Sequence, residues 1–288
     1  MRYEFIEAHR DEFEIVNMCR VLGVSRSGYY AWRKRPVSVR EMANQELKVE
    51  IKTIYEQSRQ SYGSPRMQAE LADRGLACGV NRIARLMREA GVVAKQSAKF
   101  KVNTTDSDHH YPVAPNLLGQ DFTASQPNEK WLSDITYVPT DEGWLYLALV
   151  MDLYSRRIIG WAMDDNLERW LALEALQMAL DTRQPPPGLI HHSDRGSQYA
   201  SHDYQALLTQ HQFQVSMSRK GNCYDNAPME SCIGTLKTEQ VYHCHYATRA
   251  EAKTDIFEYI EVFYNRFRRH SALGYQSPVA FDQVAVSA

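Results

Sequence analysis

The sequence lacks features that define several classes of protein. Its five cysteines include no C-x-x-C pair, which argues against a zinc knuckle and indicates reduced thiols. Its longest apolar run, WLYLALVM at 144–151, is too short to span a bilayer, and the N-terminus has no apolar signal-peptide core. No heptad run predicts a coiled coil. We therefore expect a cytoplasmic chain with no membrane partner.

The chain also lacks a net positive charge, because 33 Lys and Arg stand against 35 Asp and Glu and the net charge is −2. Its distribution is uneven: residues 1–110 hold 19 Lys and Arg against 14 Asp and Glu, whereas residues 111–288 hold 14 against 21. A basic first part and an acidic second part suggest two functions. If the acidic part handles DNA, cations must neutralise its carboxylates and the phosphates.

The basic first part predicts helices. Residues 11–35 have the pattern of helix, tight turn and helix, with Gly23 ending the first helix and Ser25 capping the second. This outline fits a DNA-binding helix-turn-helix and fits a plain helical hairpin equally well. The second helix carries the candidate DNA-binding residues Arg26, Arg33, Lys34 and Arg35.

Further helices are predicted at 44–59, at 64–75 with Ser64 as N-cap, and at 81–91. The last of these carries Arg82, Arg85 and Arg88 on one stripe, which suits a phosphate backbone or simply a solvated surface. Composition and pattern then divide the chain into a helical region (1–101), expected to bind DNA if the helix-turn-helix interpretation holds, a linker (102–128), an α/β core (129–245) and a C-terminal helix with a basic tail (246–288).

The second part predicts a mixed five-stranded sheet with flanking helices. Strands are expected at 131–139, 144–151, 157–163, 188–194 and 213–218, of which the first three form an antiparallel meander. Helices are expected at about 167–182, 202–211 and 249–267, and another contains Glu230. The first of them should bury a face formed by Trp170, Leu173, Leu176 and Leu180. This order matches the α/β RNase H-like nucleotidyltransferase core, an analogy that does not establish function.

Three acidic residues fall where this topology brings segments together. Asp134 lies within the first strand, which is central, and Asp194 ends the neighbouring fourth strand. Glu230, on the helix after the fifth strand, can reach the same edge of the sheet. Three clustered carboxylates would repel one another unless a metal lies between them, and Mg²⁺ prefers such oxygen ligands. Two such ions about 4 Å apart can activate and stabilise the oxygens of a phosphoryl displacement.

Each acid also has a plainer interpretation. Asp194 alone could be a turn residue, and Glu230 alone could be a first-turn acid of a helix that begins at Asn226 and Pro228. Asp134 sits in mid-strand, where Asp is disfavoured, so the functional interpretation is favoured there. We expect a structural role for Asp152. For His191 and His192, packing in the core or behind the site is favoured over metal ligation, and lining of the site by one of them is the alternative.

Eight local motifs resemble those of the insertion-sequence-3 family of bacterial transposases. In the second part these are WLSDITYV, MDLYSRRIIGW, HHSDRGSQY, GNCYDNAPMESCIGTLKTE and YNRFRRHSALGYQSP. MCRVLGVSRSGYYAW, SYGSPRM and RIARLMREAG agree in the first part. The resemblance is to the second-reading-frame (OrfB) product, which shares its core with retroviral integrases, and it covers nearly the whole chain.

This resemblance implies that Asp134, Asp194 and Glu230 are the catalytic triad and the ligands of Mg²⁺, with Mn²⁺ as a substitute. It implies that Lys237 is the basic residue two turns after Glu230, and that RFRRH is a basic tail motif. Arg266, Arg268 and Arg269 of that motif are expected to contact DNA or to fix the last helix. The implied partners are element-end and target DNA, further copies of the chain, and the first-reading-frame protein.

The expected activity is cleavage of DNA by water and then joining by a 3′-OH, in the bacterial nucleoid. One rival is an RNase H-type nuclease that only hydrolyses. A second rival is a DNA-binding regulator, or an inhibitory partner of a longer transposase, whose core is idle. The complete triad argues against an idle core, because three unneutralised acids would only lower stability.

Overall fold

The computed structural model describes residues 1–95, 111–220 and 222–286. The end of the predicted helical region (96–101), the first part of the predicted linker (102–110) and the last two residues of the predicted tail lie outside the described residues. The chain divides into two compact units, Met1–Glu50 and Ile51–Ala288. No helix in the described ranges is long and apolar enough to cross a membrane.

The first unit contains three short helices, α1 (Arg2–Ala8), α2 (Ile15–Val21) and α3 (Arg26–Lys34). They bury a small core formed by Ile6, Met18, Cys19 and Tyr29. Gly23 has a φ of +62°, which favours glycine and lets the chain turn between α2 and α3. The hydroxyl oxygen of Ser25 accepts a hydrogen bond from the Gly28 amide at 3.0 Å, so the predicted cap is confirmed.

Helix α4 (Val39–Gln57) begins before Glu50 and continues into the second unit. The other helices of that unit are α5 (Ser64–Asp73), α6 (Val80–Glu89), α7 (Arg169–Arg183), α8 (Ser197–Ala200), α9 (His202–Gln210), α10 (Ala227–Glu239), α11 (Arg249–Glu258) and α12 (Pro278–Val286). The prediction of Ser64 as an N-cap is wrong, because Gly63 takes the N-cap position and Ser64 is the first helical residue.

The sheet of the second unit has five strands, β1 (Lys130–Thr140), β2 (Gly143–Asp152), β3 (Ile158–Asp164), β4 (Ile190–Ser193) and β5 (Gln214–Met217). Their order across the sheet is β3-β2-β1-β4-β5. Strands β1, β2 and β3 form the predicted antiparallel meander, and β4 pairs in parallel with both β1 and β5. The predicted central position of β1 beside β4 is thereby confirmed.

The main core lies between this sheet and helices α7 to α9. Trp131 of β1 is fully buried there, together with Leu176 of α7 and Tyr204 of α9. Gly160 of β3 allows α7 to approach closely, since a Cβ atom at this position would overlap the carbonyl oxygen of Ala175. The prediction that Trp170 belongs to the buried face of α7 is wrong: its side chain is 54% exposed.

The predicted helix at 249–267 changes its hydrogen-bonding pattern part of the way along. Helix α11 ends at Glu258 and continues as a π-helical segment, Tyr259–Tyr264. Here the amide of Asn265 donates to the carbonyl oxygen of Ile260 at 3.0 Å, five residues earlier. The wider turn packs Tyr259, Ile260, Phe263 and Tyr264 inward together.

Candidate active site

Asp134 lies in the middle of β1, opposite Leu149 of β2. Its carboxylate accepts a hydrogen bond of 2.8 Å from the amide of Ile135, and its side chain is partly buried. Strand β4 pairs with the beginning of β1, from Lys130 to Leu132. The chain therefore leaves β4 on the side of β1 where Asp134 stands.

Asp194 is the first residue after β4. Its carboxylate accepts a hydrogen bond of 2.8 Å from the Gly196 amide, which forms a tight turn. Arg195 donates to the carbonyl oxygen of Ser218 at 2.6 Å, and this bond ties the turn to the chain after β5. The turn interpretation of Asp194 is therefore correct, and the turn also fixes the carboxylate beside β1.

Glu230 lies in the first turn of α10, and its side chain is exposed. Asn226 takes the N-cap position and Pro228 lies in the first turn, as predicted. The Asn226 side chain does not cap the helix; its amide group donates to the carbonyl oxygen of Ser133 at 3.3 Å. This bond attaches the start of α10 to the residue that precedes Asp134.

Asp194 and Glu230 both act electrostatically on Asp134. Burial raises the pKa of Asp134 well above its usual value, and the negative charges of Asp194 and Glu230 raise it further. The hydrogen bond from the Ile135 amide and the positive charge of Lys237 lower the pKa of Asp134. The structure therefore brings the predicted acids and Lys237 of α10 into one neighbourhood.

Lys237 is half-buried, and its Nζ atom lies 4.4 Å from the centroid of the Tyr137 ring. Burial lowers its pKa, which the charge of Asp134 partly offsets. Within residues 1–95, 111–220 and 222–286, no three His, Cys, Asp or Glu side chains are close enough together to hold a metal ion.

Asp152, His191 and His192 have the structural positions that the sequence predicted. The Asp152 carboxylate accepts hydrogen bonds from the amides of Asn128 and Tyr154, and burial raises its pKa to about 6. His191 and His192 are fully buried. The His191 ring shares hydrogen bonds with the hydroxyl groups of Ser133 and Tyr204, so it packs behind β1 rather than in the site.

The tail arginines do not form the DNA-contacting cluster that was one of their two predicted roles. Arg268 is 2% exposed and donates two hydrogen bonds of 2.7 Å to the Glu239 carboxylate, so it is not accessible to DNA. Arg269 pairs with Glu70 at 2.7 Å and with Asp73 at 2.6 Å. Arg266 is exposed and donates to the carbonyl oxygen of Glu261. The contacts of Arg268 and Arg269 fit the other predicted role, fixing the end of the chain.

The candidate DNA-binding residues of the helical region are at the surface. Arg26, Arg33, Lys34 and Arg35 are all exposed, and Arg33 lies 3.5 Å from the Glu7 carboxylate. In α6, Arg88 is exposed, Arg82 is partly buried, and Arg85 forms an ion pair of 2.7 Å with Glu89. The positions of Arg82, Arg85 and Arg88 are compatible with both predicted roles of this stripe, binding of a phosphate backbone and a solvated surface.

Sequence reasoning did not identify Asn226 or Glu239 as residues that support the site. Glu239 ends α10 and is buried, with its carboxylate bonded to Arg268 and Tyr259. A buried Glu nine residues after Glu230 gives no local signal, because its partners follow 20 and 29 residues later. Asn226 was identified only as the start of the helix.

The described sheet, its helices and the acid cluster define the class of the protein. Residues 124–223 and 230–285 match models of the Integrase core domain, and residues 42–100 match an HTH-like domain. The part of the second unit that contains the sheet is therefore an RNase H-like integrase core, and the chain is a polynucleotidyl transferase.

Curated relatives identify the family. The chain is 52% identical over 266 residues to the Insertion element IS600 uncharacterized 31 kDa protein of Shigella sonnei, which covers 92% of this chain and 97% of that one. It is 48% identical over 284 residues, 98% of both chains, to Transposase InsF for insertion sequence IS3A of Escherichia coli K12. The chain belongs to the insertion-sequence-3 family of transposases, and it is a DNA transposase.

Solved structures with a similar fold are distant. The structure of the HTLV-2 integrase catalytic core domain in complex with magnesium (dimeric form) has a TM-score of 0.43 and 15% sequence identity, and it covers 56% of this chain and 99% of that one. The simian T-cell lymphotropic virus intasome has a TM-score of 0.47 and 16% identity, with 75% of this chain and 70% of that one covered.

Proposed function

We propose that Asp134, Asp194 and Glu230 are the catalytic residues of this transposase and the ligands of its metal ions. The observation that carries the proposal is that Asp194, in the turn after β4, and Glu230, in the first turn of α10, both lie near enough to Asp134 of β1 for their charges to act on it. Like charges gathered in this way suit a cation, and an all-carboxylate ligand set suits Mg²⁺ and also Mn²⁺. When bound, two such ions would activate the attacking oxygen and stabilise the leaving oxygen.

The chain's own residues position the DNA phosphate. Asp134 is held by the Ile135 amide and Asp194 by the Gly196 amide, so both carboxylates keep a fixed direction. Lys237 supplies a cation beside Asp134 and contacts a phosphate oxygen. In the first step water attacks a phosphodiester at the element end and breaks its P–O3′ bond, so that the element's 3′-OH leaves and the 5′-phosphate stays on the flanking strand. In the second step this 3′-OH attacks another phosphodiester, forms a new P–O bond and displaces the 3′-oxygen of the attacked strand, which leaves as a 3′-OH.

We infer that cations of the helical region bind the DNA backbone, because phosphate contacts supply most of the affinity for DNA. The residues proposed for this role are Arg26, Arg33, Lys34, Arg35, Arg82, Arg85, Arg88 and, in the C-terminal segment, Arg266. Joining two ends to a target requires at least a dimer on DNA. The first-reading-frame protein is the proposed further partner, and the bacterial nucleoid is the proposed place of action.

A strand-joining assay with labelled element-end DNA and Mg²⁺ tests the proposal. The wild-type chain should cut and join DNA, and Asp134→Asn, Asp194→Asn and Glu230→Gln should each lose both steps while still binding DNA. The matched control is Asp181→Asn, an exposed acid near the C-terminal end of α7 that accepts a hydrogen bond from Gln177. Joining by Asp134→Asn would contradict the proposed mechanism.

The same assay separates the rival functions. Cutting without any joined product would indicate a nuclease that only hydrolyses. DNA binding without cutting, by the wild-type chain and the variants alike, would indicate a regulatory protein. Chelation of the metal by EDTA should abolish both steps, and addition of Mg²⁺ or Mn²⁺ should restore them.

A further inference from the structure

Trp170 borders a groove beside the candidate active site. The residue lies in the first turn of α7, and its ring is 54% exposed although α7 packs on the main core. The groove has a volume of about 290 Å³, near the lower limit for ligand pockets. Its other wall is formed by Ser197, Gln198 and Ser201, which follow Asp194 in the chain.

The two walls are connected to each other and to the site. The Gln198 amide group donates to the carbonyl oxygen of Leu167 at 3.2 Å, and the Ser201 hydroxyl group donates to the Gln198 carbonyl oxygen at 2.8 Å. On the other side, the turn at Gly196 binds the Asp194 carboxylate at 2.8 Å. A molecule in the groove therefore lies along the same segment that carries a proposed catalytic acid.

The charges of the groove favour a planar, uncharged group over a phosphate. The Arg169 guanidinium group lies 5.1 Å from the centroid of the Trp170 ring and forms an ion pair of 3.0 Å with Asp203. Glu168 adds a carboxylate to the groove wall. Since this acid and the ion pair leave no excess of positive charge, and the Gln198 amide group already bonds to Leu167, the main attractive surface is aromatic: the indole ring of Trp170, with Tyr111 also in the lining.

We propose that this groove receives one unpaired nucleobase of the DNA substrate, stacked on Trp170, next to the phosphate that reacts at Asp194. Every base has a flat face that stacks on an aromatic ring regardless of sequence, and such stacking is a common way to hold a single strand. The inference rests on the proposed function, because only the proposed function places the reacting phosphate at Asp194. The base comes either from the strand at the element end or from the target strand.

Two substitutions in the full-length chain test the proposal. Trp170→Ala should weaken DNA binding and joining by about 5- to 150-fold, the range that corresponds to stacking of one base. Trp170→Phe should retain most of both, because it keeps an aromatic ring. Phe257→Ala, which removes a 47% exposed aromatic ring from α11, is the matched control and should bind and join like the wild type. A melting curve confirms that Trp170→Ala is folded.

DNAs with a single abasic nucleotide identify the base. An abasic nucleotide at one position should weaken wild-type binding as much as Trp170→Ala does, and the variant should show no further loss on that DNA. The strand that carries this position tells the element end from the target.

Two results would overturn the proposal. One is equal binding of intact DNA by the wild type and by Trp170→Ala. The other is a loss of affinity from Trp170→Ala that adds to the loss from the abasic nucleotide at every position tested. Binding is measured apart from joining. A wild-type chain that binds DNA without joining it would contradict the proposed function. The DNA affinities of the wild type and Trp170→Ala would still decide whether a base stacks on Trp170.

Discussion

Arg268 and Glu239 form a buried, two-bonded ion pair, with both nitrogen–oxygen distances at 2.7 Å. Glu239 is the last residue of α10, the helix that carries Glu230 and Lys237. The Tyr259 hydroxyl group donates to the same carboxylate at 2.9 Å, and Arg66 of α5 lies 3.4 Å from it. The C-terminal end of the candidate catalytic helix is therefore held from two sides, by the RFRRH segment and by α5.

Removing Arg268 should destabilise the second unit strongly. Arg268→Met leaves the Glu239 charge buried without its main partner, which should lower the free energy of unfolding by about 3–5 kcal/mol. Urea unfolding measures the change. Arg266→Ala, at an exposed position two residues away, is the control and should change the value by less than about 0.5 kcal/mol. Equal midpoints for Arg268→Met and the wild type would contradict the expectation.

Gly160 and Gly234 should respond to alanine in opposite directions. At Gly160 a Cβ atom would overlap the Ala175 carbonyl oxygen and lie 2.9 Å from the Ala179 amide nitrogen, so Gly160→Ala should cost about 3 kcal/mol. At Gly234, inside α10, a Cβ atom meets nothing within 4 Å. Gly234→Ala should stabilise the protein by up to about 1 kcal/mol. Thermal unfolding of both variants checks the contrast, which a tolerated Gly160→Ala would refute.

Lys237 should matter more for joining than for stability. Lys237→Met keeps the apolar stem and removes the charge beside Asp134, so joining should fall by about 10- to 100-fold, as for loss of one charged hydrogen bond. The free energy of unfolding should change by only about 1 kcal/mol, the value of a cation–π contact. Lys253→Met, an exposed lysine of α11, is the matched control for both measurements. Unchanged joining in Lys237→Met would exclude a role in phosphate binding.

Stability should fall on mild acidification, in part because of His191. Burial lowers the pKa of His191 to about 3, whereas a histidine of the unfolded chain titrates near 6.5. Below pH 6.5 the unfolded state therefore binds the proton first, and stability is lost as the pH falls towards 3. Between pH 7 and pH 4.5 this contribution amounts to about 2–3 kcal/mol.

Asp152 should raise the stability on acidification in part of this pH range, opposite to the effect of His191. Its pKa of about 6 means that the folded state takes up a proton before the unfolded state does, so its contribution rises as the pH falls from 6 to 4. Unfolding of the wild type and His191→Asn at both pH values separates the two effects. The variant should lose less stability on acidification than the wild type, and an equal loss would exclude His191 as the cause.

The sheet could be predicted because its signals are local. Apolar runs and short polar connections mark β1, β2 and β3, and the acids of β1 and of the turn after β4 follow from strand order. Trp170 could not be placed in this way, because Leu171, Ala172 and Ala175 fill the interface with the sheet and turn the face of α7 by about one residue. The small residues Ala172 and Ala175, near the start of α7, were the signal that would have identified the face of the helix that packs on the sheet.

Long-range ion pairs were beyond sequence reasoning for a different reason. Arg269 meets Glu70 across 199 residues, and nothing near either residue marks the other as its partner. A run of arginines has the same pattern whether it faces solvent, DNA or a buried carboxylate, so only the folded chain tells Arg266 from Arg268. The π-helical segment at Tyr259–Tyr264 was missed because its apolar spacing also fits an ordinary helix.

The order in which the ribosome makes the chain gives the Glu239–Arg268 pair one more consequence. Asp134, Asp194 and Glu230 are all synthesised before Arg268, which follows Glu239 by 29 residues. Until then Glu239 lacks its strongest partner, and burying its charge is unfavourable. Helix α10 therefore reaches its final anchored position only after Arg268 has been synthesised, so a nascent chain holds all three acids before the helix that carries Glu230 is fixed.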